Sequence, residues 1–245
     1  MIRRATTSDI PCEATDETLI RIIGLKQAYG CNAPFVQFYT DEQDGYLSVM
    51  DGVGLLSTTE LTDEWRVFLS MNTEIHTVHC SGRIGRSLLA DGGWQGRVGD
   101  VMRYELSDVS DTDLSDVSTS PYLPAVHALL DAYFPNMASL NYWYPDASHR
   151  MRHGYCHIGC IIQDDRVLST AMTVAECDTA VILGQVATHR DFRKQGMAGR
   201  CIKSVISQCK GKRLYILPLN ETAAHLYETL GFIPCDEWAE LHKIN

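Results

Sequence analysis

Apolar residues recur along this chain in two rhythms, and the switch between them marks out its elements. Between residues 16 and 28, Leu19, Ile20, Ile22, Ile23 and Leu25 fall on one helical face. Strand-like runs follow at 35–39, 45–50 and 53–57, separated by turn chemistry at 41–45 and at Asp51-Gly52. The spacing then predicts a helix over 61–71 with Thr62 or Asp63 near its start, a strand over 75–80, a helix over 82–91 and a strand over 98–106. After a break, Leu123, Val126, Leu129, Leu130 and Phe134 return to helical spacing. Three strands are expected at 155–162, 167–174 and 180–188, with turns at Asp164-Asp165 and Cys177-Asp178. A helix from about Gly196, a strand over 214–219, a helix over 221–230 and an extended tail complete the pattern. This alternation gives an α/β (α+β) class, a mixed central sheet flanked by helices.

The break itself is informative. Residues 107–120 are polar and acidic, without a sustained apolar period. They contain the near-repeat Ser107-Asp108-Val109-Ser110 and Ser115-Asp116-Val117-Ser118, read as a solvated connector. The chain is therefore divided into an N-terminal α/β unit, 1–118, and a C-terminal unit, 119–245; 245 residues comfortably supply two cores.

Composition narrows the function classes. Apolar residues make up 45% and charged residues 21%, which excludes disorder. No apolar run approaches the roughly 18 to 20 residues that span a bilayer, and no secretory segment follows Met1-Ile2-Arg3-Arg4. A cytoplasmic protein without membrane partners is expected. A formal charge of −10 argues against nucleic acid as a partner. The nine cysteines are scattered in apolar company, as reduced core thiols are. His153, Cys156, His157 and Cys160 have a spacing that could hold zinc on a turn or helix. On a strand, however, Cys156 and Cys160 stand about 13 Å apart, at roughly 3.3 Å per residue, so no metal is expected.

The chemistry is concentrated where the 180–188 strand runs into the next helix. The segment Val186-Ala187-Thr188-His189-Arg190-Asp191-Phe192-Arg193-Lys194-Gln195-Gly196-Met197-Ala198-Gly199 passes from strand through a basic loop to a helix start with small residues. First-turn amides lack partners within a helix and carry about half a positive charge from the macrodipole. Gly196, Ala198 and Gly199 let an anion approach those amides, and Arg193, Lys194, Arg200 and Lys203 add positive charge. The Gly-Lys-Ser/Thr of a nucleotide P-loop and the Gly-x-Gly-x-x-Gly of a dinucleotide fold are both missing.

Arg193-x-x-Gly196-x-Ala198 after a strand resembles the Arg/Gln-x-x-Gly-x-Gly/Ala motif of the GNAT acetyltransferases. The later run Asn220-x-x-Ala223-x-x-x-Tyr227-x-x-x-Gly231-Phe232 is similar to a second segment of that family. Local structure also explains two of these residues, Asn220 as an N-cap and Gly231 as a helix terminator. The resemblance covers about residues 121–245. It implies that Lys194, Gln195, Met197 and Gly199, with the motif residues, bind acetyl-CoA as co-substrate, and that Asn220 belongs to the same site. It implies that Val186, Ala187 and Thr188 offer backbone to the pantetheine arm and the thioester carbonyl, and that Tyr227 is the acid for the leaving thiolate. Gly184 is expected at a bulge, and Pro218 where the two neighbouring strands part.

Two departures stand out. Several relatives carry a Glu on the strand before the loop, where this chain has Gln185; Glu176 and His189 are the nearest substitutes, both read as loop residues, and no base is assigned. Arg190 stands where Pro is frequent. The N-terminal unit has a similar helix and strand rhythm, that of a degenerate copy, but no counterpart of the Gly196 loop, so one cofactor site is expected. The acceptor is expected to be a small-molecule amine entering between the halves, near Tyr142-Trp143-Tyr144, His149-Arg150 and Arg152-His153. Seven acidic residues and no Lys or Arg from Glu105 to Asp146 suit a cationic amine. A non-catalytic acyl-CoA-binding module, or acetylation of protein N-termini or lysines, stand as alternatives.

Overall fold

The computed structural model describes residues 1–105 and 113–244. The first unit runs β1 (Arg3–Arg4), α1 (Glu17–Tyr29), β2 (Val36–Thr40), β3 (Tyr46–Met50), β4 (Val53–Ser57), α2 (Asp63–Met71), β5 (Thr77–Ser81), α3 (Gly82–Ala90) and β6 (Trp94–Tyr104). The second, which takes in Val117–Ser118 from before the expected boundary after 118, runs β7 (Val117–Ser118), α4 (Leu123–Asp131), α5 (Leu140–Arg152), β8 (Ile158–Gln163), β9 (Arg166–Glu176), β10 (Ala180–Thr188), α6 (Met197–Gln208), β11 (Arg213–Ile216), α7 (Glu221–Thr229) and β12 (Phe232–Lys243). The first Ser-Asp-Val-Ser repeat lies outside the described residues. The second ends in β7, which pairs with β8 at the sheet edge rather than running free as a connector.

All twelve strands form one sheet in the order β1-β2-β3-β4-β5-β12-β6-β11-β10-β9-β8-β7. The order is palindromic: each strand of the first unit has its counterpart six strands later, mirrored about the centre. In each unit an antiparallel meander leads to one parallel pair, β4 with β5 and β10 with β11. The closing strands are exchanged. β12 pairs antiparallel with β5, and β6 pairs with β11. The extended tail expected at the C-terminus is thus a central strand, held on its other side by β6 from Phe232↔Tyr104 to Lys243↔Trp94.

Alternation along the strands sorts the core into two faces. On one face Leu56, Val78, Cys80, Val98, Ala239 and Leu241 pack under α2 and α3. The same face continues through Met102, Val181, Leu183 and Ile216 under α6 and α7. On the other, Ile182 and Ala180 meet Ile20, Ile22 and Ile23 of α1, which thereby packs on strands of both units. Gly24 lets α1 come this close, since a Cβ there would stand 2.8 Å from the Glu176 carbonyl oxygen. Also on this face, α4 and α5 cover Met172 and Ala187 with Val126, Leu130 and Trp143. Helix α5 goes beyond the elements that the sequence pattern predicts: Pro145 lies inside it, and its apolar positions are sparse. Its Asp146 and Arg150 form a salt bridge, and Asp146 also accepts from Tyr29 of α1.

Candidate active site

Strands β10 and β11 stay paired only from Ala180↔Arg213 to Leu183↔Ile216. Beyond that point Leu217, Pro218 and Leu219 leave the sheet, so the strand expected over 214–219 is shorter by its last three residues. β10 runs on to Thr188 against β9 alone. The expected bulge is present: the register jumps between Gly184↔Met172 and Ala187↔Thr170, and Gln185 takes φ 48°. Gln185 and Val186 consequently have no strand partner on either side. A Cβ on Gly184 would stand 2.8 Å from Val174 Cγ1, so only glycine fits there without displacing that side chain.

The parted strands open into a cleft of about 910 Å³ whose walls include Gly184 to Thr188, Arg193, Lys194, Gly196 to Gly199, Asn220 and Tyr227. All the expected site residues except Gln195 line this cleft, and Gln195 sits in the loop between two that do. Lys194 and Gly196 adopt left-handed φ values of 62° and 73°, which turn the loop sharply into α6. No side chain caps α6. Among the described residues, none of the six successive amides from Lys194 to Gly199 donates a hydrogen bond to protein. That row of unspent donors at a helix start suits a pyrophosphate.

The surrounding side chains take more specific places than charge counting indicated. Arg193 lies over the Tyr133 ring at 5.0 Å, and its Nε donates to the Thr188 carbonyl at 3.3 Å. Arg200 is committed to Asp116. The Arg190 amide donates to Tyr133 Oη at 2.7 Å, a bond a proline could not make, which gives the departure at this position a local use. Asn220 caps α7 by accepting from the Ala223 amide at 2.9 Å, as its sequence position predicted. Tyr227 is 6% exposed and its hydroxyl has no hydrogen-bond partner among the described residues; burial pushes its pKa up to about 12. Burial thus favours the protonated phenol.

Gln185 is not idle. Its Oε1 accepts from Trp143 Nε1 of α5 at 3.3 Å, so that helix buttresses the bulge. Glu176 is no solvated hairpin residue: its carboxylate is buried, bonded to Lys212 Nζ at 2.8 Å and His157 Nε2 at 3.2 Å. Burial alone would raise its pKa, but those bonds outweigh it and hold the group below the usual carboxylate range. The Glu176 hydrogen bond in turn raises His157. Cys209 lies with these two close enough for a shared metal, yet the Lys212 ammonium already sits on the carboxylate, so they are read as a buried ion cluster. Cys160 meets Thr170 Oγ1 at 3.1 Å across the sheet. His189 closes the turn after β10 by accepting from the Asp191 amide at 3.4 Å.

A second cavity of about 330 Å³ lies between α1, the β3–β4 turn and α5. Arg21 and Val174 line both cavities, and both hold residues from the two units. The acidic tract contributes Asp146 to the smaller one, already paired with Arg150 and Tyr29. Arg152 and His153 bond only within their own helix end, while His149 Nε2 donates to the Ala28 carbonyl at 2.9 Å. Sequence reasoning missed Arg21 of α1, His79 of β5, and Arg97, Trp238 and Glu240 of the exchanged strands, all of which line the larger cleft.

Residues 141–240 match the model of the GNAT acetyltransferase family. Solved structures align over nearly the whole chain. A GCN5-related N-acetyltransferase from Kribbella flavida has a TM-score of 0.62 at 13% identity, covering 95% of this chain and 97% of its own. A GNAT-family structure from Novosphingobium aromaticivorans has 0.60 at 18%, covering 94% and 100%. A tandem GNAT protein from the clavulanic acid biosynthesis pathway has 0.61 at 11%, covering 98% and 97%. At such identities these likenesses establish the fold alone, and it is the GNAT fold in a two-unit form. No curated protein matches the chain. Among the described residues no helix is long and apolar enough to cross a membrane.

Proposed function

From a two-unit GNAT fold whose residues 141–240 carry the family match, we propose an N-acetyltransferase that moves an acetyl group from acetyl-CoA to a primary amine of a small molecule. The carrying observation is the row of unspent amides from Lys194 to Gly199 facing the cleft where β10 and β11 part. The amides and the positive end of α6 would bind the pyrophosphate. The unpaired backbone at Gln185 and Val186 would pair with the pantetheine arm and polarise the thioester carbonyl. In a ternary complex the amine nitrogen attacks that carbonyl carbon. A C–N bond forms, the C–S bond breaks, the amine loses a proton and the departing thiolate takes one. We assign the role of that acid to Tyr227, which burial keeps protonated and whose hydroxyl has no partner among the described residues.

The test is thiol release from acetyl-CoA over a panel of amines, with Tyr227→Phe as the control variant. We expect acceptor-dependent release that falls on the order of a hundredfold in the variant, with acetyl-CoA affinity retained. Unchanged turnover would remove Tyr227 from the mechanism. The second reading, a non-catalytic acyl-CoA-binding module, draws support from one observation: the position where relatives carry a carboxylate is Gln185, and its amide is engaged by Trp143. Tight acetyl-CoA binding without release for any amine would favour it.

A further inference from the structure

Part of the cleft wall is built by the first unit and by the exchanged strand β12. Alternation puts its residues on the α1 face of the sheet: Val78 and Cys80 are in the core under α2 and α3, so His79 faces the other way, as do Trp238 and Glu240 beside Ala239 and Leu241. Arg97 of β6 stands opposite Glu240 in register, and Arg21 reaches in from α1. Arg97 lies over the Trp238 ring at 5.0 Å, and His79 stacks on the same ring.

Several donors in this cluster make no hydrogen bond to the described residues. Arg97, half exposed, makes no hydrogen bond to the described residues and forms a loose ion pair with Glu240 at 3.7 Å. Arg21 spends Nε on Glu17 at 3.0 Å and neither terminal nitrogen. Trp238 is 4% exposed, and its Nε1–H has no partner. His79 stays neutral: burial lowers its pKa to about 3, with Arg21, His242 and Arg97 pushing the same way. Arg21 and Arg97 bring two guanidiniums to this part of the cleft, each beside one carboxylate, Glu17 and Glu240. The terminal nitrogens of the two guanidiniums remain able to donate to an acceptor-rich ligand in the cleft. A guanidinium presents paired donors that match a carboxylate in bidentate fashion.

We infer that the acceptor is an amine bearing a carboxylate, held by Arg97 and Arg21 of the first unit so that its amino group faces the bulge at Gly184. The inference rests on the acetyltransferase reading and gives the first unit a purpose, recognition of the acceptor. The carboxylate replaces the cationic acceptor that the acidic tract suggested, since Asp116 and Asp146 of that tract are engaged by Arg200 and Arg150.

Two arms test it on the full chain. In the first, amino acids are compared with their amides as acceptors; we expect acids to be favoured at least tenfold in kcat/KM, chiefly through KM. Arg97→Gln should erase that preference, and Arg97→Lys should restore part of it. Equal use of acids and amides, or an undiminished preference in Arg97→Gln, would overturn the inference. The second arm does not need turnover. With CoA present, calorimetry would compare N-acetylglycine, N-acetyl-leucine and N-acetylglutamate with their amides, while NMR follows the His79 ring. At least one acid should bind tenfold more tightly than its amide, shift the His79 signals and lose that advantage in Arg97→Gln. If no acid outbinds its amide, the carboxylate site is wrong even where acetyl transfer stands. Absence of thiol release with every amine would instead sink the acetyltransferase reading, leaving the second arm to judge the carboxylate site by itself.

Discussion

Helices α2 and α6 occupy the same place in the two units, each leaving the strand that forms the parallel pair, yet they start in opposite ways. Thr62 caps α2 by accepting from the Trp65 amide, and Asp63 and Glu64 fill its first turn. Its positive end is neutralised from within. At α6 a left-handed glycine stands at the cap, the first turn carries no acid, and the amides are open. One topology therefore yields a closed helix start in one unit and an anion site in the other, and a few side chains make the difference.

Copying the closed start should abolish the open one. Ala198→Glu places an acid where α2 has Glu64, and acetyl-CoA affinity should fall about a hundredfold, roughly 3 kcal/mol, by calorimetry. An affinity within threefold of the parent would show that the helix start does not hold the phosphates. A second contrast lies at the meander turns, where β3 ends on Met50 and β9 on Glu176. Glu176→Gln leaves Lys212 and His157 without their counter-ion and should cost about 3 kcal/mol in denaturant unfolding. The pH dependence has two limits. Glu176, depressed in the folded state, contributes stability above the ordinary carboxylate range and loses it as pH falls. His157, raised in the folded state, contributes below the ordinary imidazole value and loses it as pH climbs past its folded pKa. The variant should flatten both flanks of the stability profile.

Smaller effects sharpen the comparison. Counted from the first parallel pair, Gly184 corresponds to Ser57 of β4. Gly184→Ser sets a side chain against Val174 and should destabilise by about 1 to 3 kcal/mol while lowering turnover. A variant of parental stability and activity would mean Val174 gives way freely. Removing the α7 cap with Asn220→Ala should lower stability by about 1 kcal/mol, measured by chemical unfolding, as at any capped helix.

The parts of the site that local chemistry dictates were legible in the sequence. The Arg193 to Gly199 loop, the Asn220 cap and the glycine at the bulge follow from motif, cap preference and strand composition. What escaped depends on contacts between distant segments. Helix α5 hides behind Pro145 and an apolar face too sparse to declare a helix, and Trp143 reveals its role only once it meets Gln185. Glu176 reads as a turn residue until Lys212 and His157 arrive from elsewhere. β12 reads as a tail because nothing in its own residues specifies that β5 and β6 will flank it. The residues assigned to the acceptor were missed for that same reason.

The exchange of closing strands has a consequence for how the chain is made. Thr77 and His242, joined by a hydrogen bond, are 165 residues apart in sequence. The first six strands by themselves lack the neighbour that stands between β5 and β6, and β12 supplies it from far along the chain. The early sheet must therefore wait with two unpaired edges, a slow and non-local closure. Two copies of a one-unit ancestor, each lending its final strand to the other, would give the same arrangement once joined end to end. On that view the chain is a strand-swapped dimer whose partners can no longer separate.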